Sequence, residues 1–327
     1  MARSARYGEA VADRAASSIS RRAAVIGLAG LVGGCAGSRI AGSPFSLGQE
    51  RPQLRMPRGG TDSHIHILDT RFPATPGWRG EPVNDATVAA YRQVQRRLGT
   101  ERVVVVTPST YGTDNRATLD ALTQFGEAAR GVIVIDSDAP PSNLKSMAAF
   151  GIRGIRVNFV SPQPWGRSDL RRLDATARIA ADMDWHVQIY AKADQILDMA
   201  PAIAKLPAPV VLDHLGSVEP GHGLDGDGHR PILRLLSTGQ TWMKLSGAYI
   251  SSRSGPPFYA DLNAIARSYV DVAPDRLVWG SDWPHRGQAA KLPDEAALLD
   301  LLLDWVPDGL QRQRILVDNP ARLYGFR

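Results

Sequence analysis

His64 and His66, one residue apart in Asp62-Ser63-His64-Ile65-His66, are the first residues whose types and spacing can do chemistry. On an extended strand they project to one face, about 6.5–7 Å apart along the chain. Two converging imidazoles can bind a divalent metal or donate to a carbonyl oxygen. His214, in Val210-Val211-Leu212-Asp213-His214, alternates with Val210 and Leu212 and is expected to join them, with Asp213 a neighbour that fixes structure. Asp282, in Trp279-Gly280-Ser281-Asp282-Trp283-Pro284-His285, is the best-placed carboxylate for general-base work, and His285 is expected to support it. Arg156 and Asn158 share a face of Arg153-Gly154-Ile155-Arg156-Val157-Asn158. A guanidinium there needs an anion, so a substrate carboxylate is expected on Arg156, with Arg153 in a structural ion pair. Tyr190 closes His186-Val187-Gln188-Ile189-Tyr190 and can hydrogen-bond a ligand, while His186 lies deeper as a core histidine. Lys244 alternates with Met243 and Leu245, and either pairs with an interior acid or serves the site.

These residues need a scaffold that brings strand ends together. Apolar runs occur at Thr61–Ile67, Arg102–Thr107, Gly131–Ile135, Gly154–Phe159, His186–Tyr190, Val210–His214, Trp242–Ser246 and Arg276–Gly280. Helical spacing occupies segments between them, as in Asp85–Leu98, Arg116–Ala129 and Leu170–Met183. Eight such alternations predict an α/β protein, a (β/α)8 TIM barrel, whose chemistry sits at the C-terminal ends of the strands. No GxGxxG follows the first strand and no GxxxxGK[ST] occurs, so the usual dinucleotide and P-loop signals are missing. The Gly/Asp/His-rich stretch Glu219–His229 reads as a mobile loop.

The set His64, His66, His214 and Asp282 on strands one, six and eight resembles the amidohydrolase superfamily. So do Thr107-Pro108-Ser109-Thr110-Tyr111, Gly154-Ile155-Arg156-Val157-Asn158-Phe159, Lys244-Leu245-Ser246-Gly247 and the ending Asp318-Asn319-Pro320-Ala321-Arg322-Leu323-Tyr324-Gly325-Phe326. Together they are similar to the branch of 2-pyrone-4,6-dicarboxylate lactonase and the aldaric-acid lactonases and isomerases, from about Thr61 to the C-terminus. The resemblance implies a lactonase in which Asp282 activates water and His64, His66 and His214 polarise the carbonyl. It implies substrate contacts from Ser109, Tyr111, Arg156, Asn158, Tyr190, Lys244 and Arg253. Gln188 and Tyr190 stand where binuclear members carry histidine, and no lysine bridges metals from strand four, so the expectation is no required cofactor, or one divalent zinc on His64, His66, His214 and Asp282. Ser161-Pro162-Gln163 and Ile250 replace basic residues of the dicarboxylate lactonases, which points to a ligand with one carboxylate. A lactone isomerase, a zinc-dependent amidohydrolase or decarboxylase, and a non-catalytic periplasmic binding protein are the alternatives.

The chain has 327 residues, 43% hydrophobic and 22% charged, with one cysteine, a composition that is globular and excludes a disulfide framework. Its formal charge of +5 suggests nucleic acid, but Arg3, Arg6, Arg14, Arg21 and Arg22 against Glu9 and Asp13 place a surplus of three before Cys35. Nucleic-acid binding therefore loses its support. Ser20-Arg21-Arg22 precedes an uncharged run, Ala23–Gly34. As a helix this run rises only about 18 Å, too short for a bilayer core of about 30 Å. It reads as a twin-arginine-type export signal over 1–34. Cys35 after Val32-Gly33-Gly34 resembles a lipobox, so a lipid anchor is its expected link to the membrane. Residues 35–56 are expected to form a flexible tether before a barrel over 57–327, in a protein exported to the bacterial periplasm.

Overall fold

Short valine-rich and isoleucine-rich runs favour the pleated backbone, because branching at Cβ restricts the side chain least there. The computed structural model describes residues 43–327, apart from 137–140, 162, 164, 165, 227 and 289. In it these runs form β1 (Thr61–Ile65), β2 (Arg102–Val106), β3 (Ala129–Ile133), β4 (Ile152–Asn158), β5 (His186–Tyr190), β6 (Val210–Leu212), β7 (Thr241–Leu245) and β8 (Leu277–Trp279). All adjacent pairs are parallel and follow chain order. The seam closes just beyond the strands, where Asp282 N donates to His64 O and His66 N to Trp283 O, both at 2.8 Å.

Helices α1 (Val88–Leu98), α2 (Arg116–Phe125), α3 (Pro141–Ala149), α4 (Leu170–Asp182), α5 (Ala193–Ile203) and α6 (His229–Ser237) return the chain between strands. A single turn, α7 (Ala248–Ser251), and α8 (Asn263–Val272) follow β7, and α9 (Glu295–Trp305), α10 (Gly309–Gln313) and α11 (Asn319–Tyr324) follow β8. The main core lies between sheet and helices, as the parallel arrangement requires. Inside the barrel, Val104, Val106, Val132, Val211 and Val278 form the lower layer, and Tyr324 and Phe326 pack against them from below. The polar groups lie above.

The (β/α)8 expectation holds, with local differences. α2 stops at Phe125 because Gly126 turns left-handed at φ 66°, and Ala129 belongs to β3 instead of the helix. Within Glu219–His229 the chain makes a 3-10 turn, and His229 opens α6, buried, with Nε2 2.9 Å from Ser268 Oγ. The expected tether is docked from Ser43 onward. Pro44 O accepts from Trp283 Nε1 at 2.9 Å, Glu50 O from Arg97 Nε at 2.7 Å, and Asp300 from Leu54 N at 2.8 Å. The reason is that Arg97, fully buried on α1, and Trp283 need acceptors that this strap supplies. The expected export signal and Cys35 lie outside the described residues. Among the described residues no helix is long and apolar enough to cross a membrane.

Candidate active site

Three imidazoles surround one carboxylate at the mouth of the barrel. His64 Nε2 lies 3.5 Å and His66 Nε2 3.6 Å from Asp282 Oδ1, and His214 Nε2 lies 3.9 Å from Asp282 Oδ2. The two nitrogens of the first strand are 3.3 Å apart. Asp282 leaves β8 at φ 61°, a left-handed conformation that a non-glycine residue adopts at a cost, and its N–H to His64 holds it there. Gly280 makes room: a Cβ there would sit 2.7 Å from that of His64. Tyr249, on α7, donates to Asp282 Oδ2 at 2.5 Å. Burial acts to raise the Asp282 carboxyl, but the imidazoles of His214, His64 and His66 and the Tyr249 hydroxyl outweigh it and hold the group below the usual carboxylate range.

His214 reaches the site by a different route from the expected one. The inward residue of β6 is Val211, followed just beyond the strand by Asp213, whereas Val210 and Leu212 face the helices. The strand ends at Leu212, and His214 turns back over the barrel at φ 53° with Nδ1 3.0 Å from Ser246 Oγ. A Cβ on Gly247 would lie 2.9 Å from the His214 ring, so that position also has to be glycine.

Beneath the histidines is a charged floor. Asp213 lies 3.4 Å from Arg156 Nε, 3.6 Å from Lys244 Nζ and 3.4 Å from His64 Nδ1, and accepts from Gln188 Nε2 at 3.0 Å. Burial pushes Asp213 up, but Lys244 and His64 hold it well below the ordinary range. Burial lowers Lys244 to about 8. Burial and then Lys244 keep His64 well below its usual value, and burial with Arg156 brings His66 to about 4.

Hydrogen-bond partners assign the tautomers. The Val106 carbonyl, 2.7 Å from His66 Nδ1, can only accept, so neutral His66 carries its proton there and presents a bare Nε2. His64 Nδ1 faces a donor, Lys244 Nζ at 3.2 Å, and an acceptor, Asp213 Oδ1. Bonded to Lys244, His64 directs Nε2–H at His66 Nε2. Bonded to Asp213, it offers a second bare Nε2, the arrangement of a carboxylate-supported metal ligand. His64, His214 and Asp282, all buried, bring ligand atoms within 4.8 Å of one another. Zinc bonds of about 2.0–2.1 Å separate tetrahedral donors by about 3.4 Å. His64, His214 and Asp282 therefore form a donor set of the kind that holds one divalent ion, with His66 Nε2 beside it, 3.3 Å from His64 Nε2.

Above this centre is a pocket of about 450 Å³, lined among others by His66, Ser109, Arg156, Tyr190, His214 and Asp282. Ser109 Oγ accepts from Asn158 Nδ2 at 2.8 Å and Gln163 Nε2 at 3.1 Å, which leaves its own proton for a ligand. The Arg156 guanidinium lies 5.3 Å over the Tyr190 ring.

Four expectations need correction. Tyr111 is buried away from the pocket, with its hydroxyl on the Asp69 backbone, because it closes the loop after β1. Lys244 lies in the floor, out of a ligand's reach, because it balances Asp213. Arg253 points to a neighbouring cleft and pairs with Glu219 at 2.8 Å. Arg153 donates to the carbonyls of Ala148 and Ile152, and it is Arg156 that meets the interior acid. The sequence reading missed Tyr249, Trp78, Glu81 and Arg286. All four lie in turns or loops, where side-chain period gives no direction.

Residues 61–326 match the family described as Amidohydrolase. The chain belongs to the amidohydrolase family. This amidohydrolase is 35% identical over 291 residues to a 4-sulfomuconolactone hydrolase of Hydrogenophaga intermedia, covering 86% of this chain and 95% of the relative. It is 35% identical over 276 residues to a D-galactarolactone isomerase of Agrobacterium fabrum, covering 84% and 93%. A crystal structure of an Agrobacterium tumefaciens protein in its apo form superposes with a TM-score of 0.78 at 34% identity, covering 86% of this amidohydrolase and 99% of that chain.

Proposed function

We propose that this amidohydrolase opens a lactone that carries a carboxylate. The observation that carries the reading is Asp282, held by Tyr249 and facing three imidazole nitrogens at 3.5–3.9 Å on the floor of the pocket. Relatives named as a lactone hydrolase and a lactone isomerase, each 35% identical, support it.

Asp282 takes a proton from water, and the water oxygen bonds to the lactone carbonyl carbon. His214 donates from Nε2 to the carbonyl oxygen as it gains charge, with Ser246 orienting the ring at Nδ1. His66, with its bare Nε2, is an acceptor or ligand instead of a donor. The ring C–O bond then breaks, and the leaving oxygen takes the proton from Asp282. Arg156, Tyr190 and Ser109 orient the substrate's carboxylate and hydroxyl groups. A divalent ion, if bound, would be held by His64, His66, His214 and Asp282 and would supply Lewis-acid polarisation of the carbonyl.

Assaying the purified protein on a panel of sugar-acid and aromatic lactones, with and without chelator, tests the reading. Ring opening of at least one carboxylated lactone is expected, and no turnover across the panel would overturn it. The isomerase relative favours a second reading, in which a substrate hydroxyl attacks in place of water. NMR in 18O-labelled water separates the two, because only hydrolysis incorporates the label.

We also propose export to the periplasm with a lipid on Cys35, supported by the twin-arginine run and the apolar stretch before that cysteine. Labelled fatty acid should enter the protein and be lost in Cys35→Ser.

A further inference from the structure

The rim of the pocket carries a charge pair that the catalytic steps do not use. Arg286, in the loop after β8, lines the pocket together with Glu81 and Trp78, in the loop after β1. Its Nη1 donates to Pro82 O at 3.0 Å and its Nη2 to Glu81 O at 2.5 Å and Thr110 Oγ1 at 3.3 Å. Trp78 Nε1 donates to the same Glu81 carbonyl at 2.8 Å. The guanidinium is therefore fixed by neutral acceptors, and its position does not depend on the Glu81 carboxylate. That carboxylate nevertheless lies 3.4 Å away, with Glu81 36% and Arg286 16% exposed at the side chain.

The second guanidinium of the pocket, Arg156, is matched by Asp213 beneath it. Asp213 is shared by Arg156 and Lys244, and Asp282 faces imidazoles and Tyr249, whereas Arg286 has Glu81 to itself. Asp213 is fully buried and Asp282 nearly so, so neither can withdraw. Glu81 is the only one of the three at the edge of solvent, and it occupies the charge that a second acidic group of a ligand would need.

We propose that Glu81 sets the charge of the substrate: paired with Arg286, it admits lactones bearing one acidic group and turns away those bearing two. This deepens, and rests on, the lactone reading above. A substrate's first carboxylate meets Arg156 and Tyr190 below. A second, near the rim, meets an arginine already neutralised and a carboxylate that repels it.

The test compares wild type with Glu81→Gln on two lactones of the same ring, bearing one and two carboxylates. Glutamine keeps the size of the side chain and leaves the backbone carbonyls to hold Arg286. Wild type is expected to favour the monoacid in kcat/KM. In Glu81→Gln the diacid-to-monoacid ratio should rise about tenfold, as expected for removing one like-charge repulsion at a protein rim, and the gain should shrink with added salt. Adding Arg286→Gln to that variant should abolish the gain. An unchanged ratio, or a wild type that prefers the diacid, overturns the proposal. If no lactone is turned over, the lactone reading fails, and the charge proposal is decided by the affinities of wild type and variant for mono- and dicarboxylated ring acids, with the same ratio as the criterion.

Discussion

Replacing Lys244 with glutamine should make the histidine centre a better metal site. Lys244 Nζ lies 3.2 Å from His64 Nδ1 and 2.7 Å from Gln188 Oε1, and the residue is fully buried. Across the imidazole, an ion bound at Nε2 would lie roughly 7 Å from the ammonium. At an effective dielectric of about 20–40, a single and a double positive charge at that distance repel by about 2–5 kcal/mol. Asp213, 3.6 Å from Nζ, offsets part of this, so the lower end applies. Zinc affinity should therefore rise about ten- to a hundredfold. Glutamine can still donate to Gln188, while His64 Nδ1 turns to Asp213 and frees Nε2. The assay is zinc competition against a chromophoric chelator, using stripped protein whose folding is checked by circular dichroism. A folded variant that binds zinc no more tightly than wild type would refute the tautomer argument.

Asp282→Asn should lower kcat by about 10²–10⁴ while leaving the melting temperature near wild type, and retained turnover would remove Asp282 as the base. Tyr249→Phe loses a hydrogen bond to a charged group, so kcat should fall about tenfold or more with KM little changed. A change confined to KM would contradict its role in holding the base. Stability should decline as pH falls from about 6.5. His66 and His186, lowered by burial to about 4 and about 3, favour folding fully above the unfolded value and lose that contribution as pH drops through the folded ones. The loss from His66 alone is about 3 kcal/mol, partly offset by Asp62, which burial raises to about 6. Denaturant melts at pH 7, 5.5 and 4.5 check this, and flat stability would contradict it. Removing residues 1–54 should lower the melting temperature by about 5–10 °C, because buried Arg97 and Trp283 lose acceptors, at about 1–3 kcal/mol each. An unchanged melt would argue against a docked strap.

The barrel, His64, His66 and Asp282 were legible because strand alternation gives direction to side chains near strand ends. His214 was found for an incomplete reason. Alternation from Val210 and Leu212 points outward, and only the left-handed turn beyond Leu212 brings the ring inward. Lys244 had two readings, and Asp213 on another strand, far away in sequence, decides between them. The docked strap was read as a tether because Gly, Ser and Pro show flexibility in an unfolded chain but not the acceptors their carbonyls offer to a partner. Arg286 and Glu81 lie more than 200 residues apart in the sequence and meet only through loop backbone, so neither segment alone announces the pair.

Tyr324 and Phe326, packed into the lower end of the barrel, make the interior a cul-de-sac. Whatever enters over Asp282 must leave by the same opening. Ring opening turns a lactone into a hydroxy acid with one more negative charge than the substrate had. On the charge proposal above, Glu81 repels the opened product as it does a second carboxylate, and the dead end sends that product back out past the same residue.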